Sequence, residues 1–330
     1  MKTTASSISS PGTTWTASSS SSYDKPQHRP ITSQHGHAGG RALVLGGGGS
    51  TGNAWLIGVV AGLMDGGLDV TAADLLVGTS AGATAAAQLS GSNPTELFAD
   101  ILRTAPASLT APAGSLAGQA PSRSVSEHLQ RLTATIAAAS DAADMRRRMG
   151  ATALGQATTA DDALQSRWRT TVAARLPNQD WLDRRMLVTA VDARTGEPIV
   201  FDRHGGVALV DAVAASCAGG FAYRIDARHY IDGGYRRNEN ADLARGYERV
   251  LVLAPLSGRS LHPAHWRMDL AAQVADLRRD GSVVETIVPE RDTTQLFGVN
   301  AMNITLRPSA AQVGHDHGRA LAMQLSDFWC

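Results

Sequence analysis

The sequence predicts a three-layer α/β fold, in which a mainly parallel sheet lies between two layers of helices. Two observations carry this prediction. Short apolar runs typical of buried strands alternate with longer stretches of helical periodicity. Residues 92–180 interrupt this alternation with a loop and helical patterns alone. We therefore expect one large domain over residues 41–330, with 92–180 as a helical insertion that forms a wall or lid at one end of the sheet.

The elements follow in order along the first part of the chain. An apolar run over 41–46 predicts a buried strand, and 53–67 has helical periodicity and ends at glycines. A second buried strand is predicted at 74–79, followed directly by a small-residue helix over 80–91. This strand–helix order indicates a parallel sheet covered by helices.

The insertion is predicted to contain a loop and then helices. Residues 104–121 are rich in Pro, Ala, Gly and Ser, and a helix is expected from Val125, opened by a capping box from Ser124 to Glu127. Leu164, Trp168 and Val172 repeat at helical spacing in a further helix.

The sheet is predicted to resume after the insertion. Two runs that flank a plausible turn predict a β-hairpin, at 186–192 and 198–202. The remaining predicted elements are a helix at 207–217, strands at 229–232, 249–255 and 282–289, a helix near 265–280 and a last helix from about Ala310 to Phe328.

Composition bounds the environment and the partners. The 30 acidic and 30 basic residues balance, which argues against nucleic acid as a partner and allows at most peripheral membrane contact. Cys217 and Cys330 lie far apart in sequence and suggest no disulfide framework. Residues 1–40 are rich in Ser, Thr, Pro and Gly without apolar periodicity, which predicts a disordered tail. With no signal-peptide core and no apolar run of about 18 residues, we expect a cytoplasmic protein.

A glycine-rich loop over 46–52 joins the first strand to the first helix. Its Gly47-x-Gly49-x-x-Gly52 spacing matches a dinucleotide fingerprint, but the second strand does not end in the acidic residue that a ribose needs. The loop also lacks the lysine of a phosphate-binding P-loop. We expect the backbone N–H groups of Gly47, Gly48 and Gly49 to form an oxyanion hole instead.

The second strand leads into a G-x-S-x-G motif, Gly78-Thr79-Ser80-Ala81-Gly82. A serine at the carboxyl end of a buried strand and at the start of a helix is typical of a nucleophile elbow. Gly78 and Gly82 are predicted to flank Ser80 because bulkier side chains would clash in so tight a turn. The alternative is a glycine-rich turn with a serine that caps the helix.

Ser80 needs a base, and the histidines are poorly placed to supply one. His35 and His37 lie in the tail, and His229 alternates away from Asp232 along its strand. The Gly-His-Asp-His-Gly run at 314–318 offers no third metal ligand and is predicted to be a solvated loop. Asp232 ends a short strand before Gly233 and Gly234, which allow a sharp turn that exposes its carboxylate. Asp232 is therefore the candidate base.

The glycine loop, G-x-S-x-G and Asp232-Gly233-Gly234 together resemble the motifs of the patatin-like phospholipase family, in the same order and over about residues 41–325. The segment 211–221 is similar to the one that precedes the family's aspartate. The resemblance implies a patatin-like hydrolase fold with a Ser80–Asp232 dyad, no metal or cofactor, and an acyl-ester or lipid substrate. Two departures are Thr51, where the family often has Arg or Lys, and Gly219-Gly220, where it commonly has proline.

Three functions remain open at this stage. The expected one is hydrolysis of lipid carboxylic esters through an acyl-serine. An acyltransferase or thioesterase would pass the same acyl group to an acceptor other than water. A non-catalytic lipid-binding module would use the pocket without the chemistry. Sequence alone does not fix the oligomeric state.

Overall fold

A computed structural model describes Met1 and residues 39–103, 121–155 and 161–330. The predicted tail at 2–38 and most of the predicted loop, at 104–120, lie outside the described residues. The strands are β1 (Arg41–Leu45), β2 (Leu75–Gly78), β3 (Met186–Asp192), β4 (Pro198–Phe201), β5 (Tyr223–Ile225), β6 (Arg228–Asp232), β7 (Arg249–Leu253) and β8 (Val283–Ile287). The helices are α1 (Gly49–Asp65), α2 (Ala81–Gly91), α3 (Pro94–Arg103), α4 (Pro121–Ala138), α5 (Ala142–Gly155), α6 (Asp161–Ala173), α7 (Leu209–Ser216), α8 (Leu270–Arg279) and α9 (Arg307–Trp329).

The strands form one mixed sheet in the order β5-β6-β3-β2-β1-β7-β8, with β4 paired to β3. The contacts from β3 through β2, β1 and β7 to β8 are all parallel. β4 and β6 pair with β3 antiparallel, and β5 pairs with β6 antiparallel. The predicted α/β fold is confirmed, including the β3–β4 hairpin.

Helices cover both faces of this sheet because its central strands are apolar on both. Along β1, Leu43 and Leu45 pack in the larger core, with helices that include α1, α2, α7 and α9. The alternate residues Ala42 and Val44 pack in a second core with α8. Alternation along a strand thus divides one apolar run between two layers.

The pairing register of β3 brings two strand ends together. Gly78 at the end of β2 is opposite Val188, and Asp232 at the end of β6 is opposite Ala190. β4 pairs with both of these β3 residues, so it takes the other edge of β3. β2 and β6 therefore meet end to end along one edge, at positions about 7 Å apart along β3.

Helices α1 and α9 pack closely through glycines. A Cβ at Gly58 or Gly62 of α1 would overlap backbone carbonyl oxygens of α9. A Cβ at Gly314 of α9 would lie 2.5 Å from the Trp55 carbonyl oxygen, and one at Gly318 would overlap that of Val59. The two helices run parallel, because Arg307 contacts Ser50 at the start of α1 and His315 bonds Asp65 at its end.

Several predicted boundaries are wrong. α1 begins at Gly49 rather than 53, so half of the predicted glycine loop is the first turn of a helix. α4 begins at Pro121, so Ser124 lies inside that helix rather than at its start. The 314–318 run is helical within α9, as the helix predicted from about Ala310 to Phe328 implies, and it is not the solvated loop expected for its histidines. Its glycines pack on α1. The strand β5 was not predicted.

The 92–180 segment divides between two places. α3 packs against α1 and α9, and α6 packs against α7, so both belong to one helical layer. α4 and α5 pack with the ends of β3 and β6 through Ile136, Met145, Val191 and Ile231. In the described part of the chain, no helix is both long and apolar enough to cross a membrane.

Candidate active site

Ser80 occupies a sharp turn between β2 and α2. Its backbone has φ 53° and ψ −116°, a region that residues with a Cβ rarely adopt. A Cβ at Gly78 would lie 2.6 Å from the Ala83 Cα, and one at Gly82 would overlap the Leu45 carbonyl oxygen. These contacts explain why glycine is required on both sides of the serine.

Two residues at the end of α7 hold the backbone of Ser80. The Ser80 N–H donates to Ser216 Oγ at 2.9 Å, and the Cys217 thiol donates to the Ser80 carbonyl oxygen at 3.1 Å. Burial raises the pKa of Cys217 to about 12, so this thiol keeps its proton. The Ser80 N–H is thereby engaged and is not a donor for substrate.

Asp232 lies beside the serine at the end of β6. Its carboxylate accepts a hydrogen bond from the Gly234 N–H at 2.7 Å, and it lies close enough to the Ser80 hydroxyl for that hydroxyl to lower its pKa. Its own N–H donates to Ala218 at 3.0 Å, in the segment that follows Ser216 and Cys217. Burial raises the pKa of Asp232 to about 6, although the Gly234 N–H and the Ser80 hydroxyl partly oppose this.

A buried network of polar side chains joins the two halves of this pair. Thr189 of β3 donates to Thr79 Oγ1 at 3.0 Å, and Asn240 Nδ2 donates to the same oxygen at 2.9 Å. Asn240 also contacts the Gly233 carbonyl oxygen at 3.3 Å. The network therefore connects the residue before Ser80 to the residue after Asp232.

The three glycines predicted to form the oxyanion hole differ in the structure. The Gly47 N–H donates to the Asn238 carbonyl oxygen at 3.0 Å, so it is not free to bind an oxyanion. In the part of the chain that the structure describes, the N–H groups of Gly48 and Gly49 have no acceptor. Asn238 Nδ2 also approaches the Gly47 carbonyl oxygen at 3.4 Å, which fixes the peptide that carries the Gly48 N–H.

A guanidinium from α9 lies against the first turn of α1. Arg307 donates to the Ser50 carbonyl oxygen at 2.6 Å and to Asn53 Oδ1 at 3.1 Å. Among the described residues it forms no salt bridge, and burial lowers its pKa to about 10. Thr51 stands where the family often has Arg or Lys. In this structure Arg307, 256 positions later in the chain, places a positive charge beside the glycine loop instead.

Two histidines of the described chain have partners away from the Ser80–Asp232 pair. His262 bonds Ser260 Oγ at 2.6 Å, and burial lowers its pKa to about 4. His315 bonds Asp65 Oδ2 at 2.8 Å and stacks on Phe98. Within the described residues, no group of His, Cys, Asp and Glu is arranged to hold a metal ion.

The sequence analysis did not identify the residues that position Ser80, Asp232 and the glycine loop. These are Thr79, Thr189, Ser216, Cys217, Asn238, Asn240 and Arg307. The polar run that follows Asp232-Gly-Gly was the one available signal, since Asn238 and Asn240 fall in it. The others are ordinary strand or helix residues until pairing and packing bring them to the site.

Comparison with known proteins gives the family. The model of the patatin-like phospholipase family matches residues 43–245, more than half of the chain. No curated protein matches it.

Solved structures show weaker likenesses. VipD from Legionella pneumophila is 14% identical, with 87% of this chain and 67% of VipD covered and a TM-score of 0.39. ExoU is 14% identical, with 85% and 54% covered and a TM-score of 0.31. In the SpcU complex, ExoU from Pseudomonas aeruginosa is 18% identical, with 86% and 53% covered and a TM-score of 0.31.

The chain thus spans little more than half the length of ExoU. TM-scores this low carry no weight, so the family assignment rests on the match of the family's sequence model over 43–245. The chain belongs to the patatin-like phospholipase family.

Proposed function

We propose that the protein hydrolyses carboxylic esters of lipids through an acyl-serine intermediate, with Ser80 as nucleophile and Asp232 as general base. The observation that carries the proposal is the proximity of the Ser80 hydroxyl, in its strained turn, to the partly buried Asp232 carboxylate, whose pKa that hydroxyl lowers against the effect of burial. An unperturbed aspartate, with a pKa near 4, is a weak base at neutral pH. A pKa of about 6 leaves Asp232 ionised at neutral pH yet more basic than usual.

In the first step, Asp232 accepts the Ser80 proton as Oγ forms a bond to the ester carbonyl carbon. The carbonyl π electrons move to oxygen, which becomes the tetrahedral oxyanion. The N–H groups of Gly48 and Gly49 are the proposed donors to it, and the Arg307 charge favours negative charge at this loop. The intermediate collapses, the ester C–O bond breaks, and Asp232 returns the proton to the leaving alcohol.

In the second step, water replaces the alcohol. Asp232 accepts a proton from water as the water oxygen attacks the acyl carbonyl carbon, and a second oxyanion forms in the same place. When that intermediate collapses, Ser80 Oγ leaves and regains a proton from Asp232, which releases the carboxylic acid. The lipid nature of the substrate is proposed from the family.

The test is hydrolysis of nitrophenyl esters with acyl chains from C2 to C16. Ser80→Ala and Asp232→Asn are each expected to lower kcat/KM by about 10³-fold or more. The first removes the nucleophile and the second removes the base, and the attack on the ester needs both. For the unmodified protein, kcat/KM should rise with pH through about 6 and then level, because the base must be ionised.

Thr84→Ala is the matched control, because it removes only the Thr84 hydroxyl, which contacts Cys217, and keeps the backbone N–H that donates to the Ser80 carbonyl oxygen at 3.2 Å. It should keep kcat/KM within about threefold. Asp232→Asn with near-normal activity would show that another group takes the proton. If a fluorophosphonate labels Ser80 while every ester survives, an acceptor other than water becomes the better proposal.

A further inference from the structure

The exposed apolar side chains of this protein are unevenly distributed. Apart from Met1, seven large apolar residues of the described chain are exposed, and four of them lie in loops that leave the carboxyl ends of β7 and β8. These four, which we call the rim patch, are Leu261, Val299, Met302 and Ile304, each 49–59% exposed. Single exposed apolar residues are ordinary, but a cluster at one edge is not.

The rim patch adjoins the glycine loop of the candidate site. Between Val299 and Met302, the Ala301 carbonyl oxygen accepts the Thr51 N–H at 3.0 Å. A Cβ at Gly49 would lie 2.7 Å from the same oxygen. Pro255, which begins the loop that carries Leu261, packs on Gly48, where a Cβ would lie 2.7 Å from the Pro255 Cβ.

The other three exposed apolar residues lie away from this edge. Val283 is the first residue of β8, at the amino end of the parallel strands, and Met323 is in the second half of α9. Leu102 is near the end of α3, which packs against α1 and α9 and whose Thr95 bonds Asp65 at the far end of α1 from the glycine loop. These three provide a natural comparison set of the same chemical type.

We propose that the rim patch inserts into the surface of a lipid aggregate and so delivers the catalytic edge to membrane lipids. The choice of occupant rests on the proposed function, because a site that hydrolyses lipid esters must meet substrates that reside in aggregates. Side chains that are half exposed in water gain free energy when they enter the acyl boundary. The balanced charge of the chain makes apolar insertion, rather than attraction to anionic lipid, the expected source of binding.

The test measures binding without catalysis. In a Ser80→Ala background, the full chain is sedimented with phosphatidylcholine vesicles at 0.15 M and about 1 M NaCl, the latter to screen charge. Val299→Ser, Met302→Ser and Ile304→Ser together should weaken partitioning at least tenfold, with little dependence on salt. Leu102→Ser, Val283→Ser and Met323→Ser together should leave partitioning within about twofold, because they remove the same kind of side chain elsewhere.

Activity measurements separate membrane binding from catalysis. In the chain that keeps Ser80, the triple variant Val299→Ser, Met302→Ser and Ile304→Ser, which we call the rim variant, should hydrolyse monomeric nitrophenyl butyrate normally and lose activity on vesicles. If the unmodified protein fails on the butyrate ester, the proposed function fails while the binding comparison still stands or falls by itself.

Several results would overturn the lipid surface as occupant. Equal binding by the rim and control variants would do so, as would binding abolished by salt. A fall of more than about 4 °C in the Tm of the rim variant would show that these side chains pack against protein, since exposed substitutions change stability little. A dimer that becomes a monomer in the rim variant would make a second copy of the chain the occupant.

Discussion

The helix α1 touches two regions of opposite character. Its first turn lies at the catalytic edge, with Ser80 at positive φ, the partly buried Asp232 carboxylate and a partly buried Arg307 that has no carboxylate partner among the described residues. Its middle crosses α9 through Gly58 and Gly62, with only apolar and backbone contacts close to those glycines.

The comparison indicates that the α1–α9 crossing stabilises the fold, whereas the catalytic edge contains features that lower its stability. Positive φ at a non-glycine residue and an unpaired buried charge each lower stability, and such features persist where the surroundings over-determine them. The close crossing of α1 and α9 is one of those surroundings. We therefore expect substitutions at the crossing to destabilise the fold, and substitutions at the catalytic edge to stabilise it while they abolish activity.

The largest effect should come from the crossing. Gly58→Ala with Gly62→Ala places two methyl groups against carbonyl oxygens of α9 and should lower the free energy of unfolding by about 4 kcal/mol, net of the helix propensity that alanine adds. Urea unfolding measures this change. Gly155→Ala, at the open end of α5, is the control and should change it by less than about 1 kcal/mol. Equal effects of the two changes would mean that the crossing is not tightly packed.

The second effect has the opposite sign and depends on pH. Because burial raises the pKa of Asp232 from 3.8 to about 6, the ionised carboxylate lowers stability by about 3 kcal/mol above pH 6, and this cost disappears when the carboxyl is protonated below about pH 4. The stability of Asp232→Asn relative to the unmodified protein should therefore rise by about 3 kcal/mol between pH 4 and pH 8.

Asp242→Asn provides the reverse case. Burial by itself raises the pKa of Asp242, but the hydrogen bonds and charges of Arg236 and Arg237 outweigh it and lower the pKa. That ion pair stabilises the fold above the unfolded pKa and is lost as the pH falls through the folded one. The relative stability of Asp242→Asn should thus fall as the pH rises from about 2 to about 5 and should change little between pH 5 and pH 8. The same sign for both variants would contradict the assignment of a raised pKa to Asp232.

The smallest effect concerns backbone strain. Ser80→Gly should be more stable than Ser80→Ala by about 1 kcal/mol, since only glycine adopts φ 53° with ψ −116° readily. Ser90 lies in ordinary helix within α2, where alanine should instead be more stable than glycine by about 1 kcal/mol. Thermal unfolding of the four variants decides whether the strain belongs to the elbow alone.

The strands and motifs of this protein could be predicted from the sequence because they are local. An apolar run such as 249–255 predicts a buried strand wherever it pairs, and G-x-S-x-G needs only a strand before it and a helix after it. The family, the α/β fold and the β3–β4 hairpin follow from such patterns and are confirmed. Ser80 and Asp232 were also singled out in this way, and their catalytic roles remain a proposal.

Only the tertiary structure decided what joins these pieces. The pairing register of β3 places the end of β2 next to the end of β6 along one edge of β3, although Gly78 and Asp232 are 154 residues apart in sequence. The Gly47 N–H is taken by Asn238, and Arg307 reaches the glycine loop from the far end of the chain. Each of these depends on which groups pack together across long separations, and a local sequence pattern carries no record of that choice.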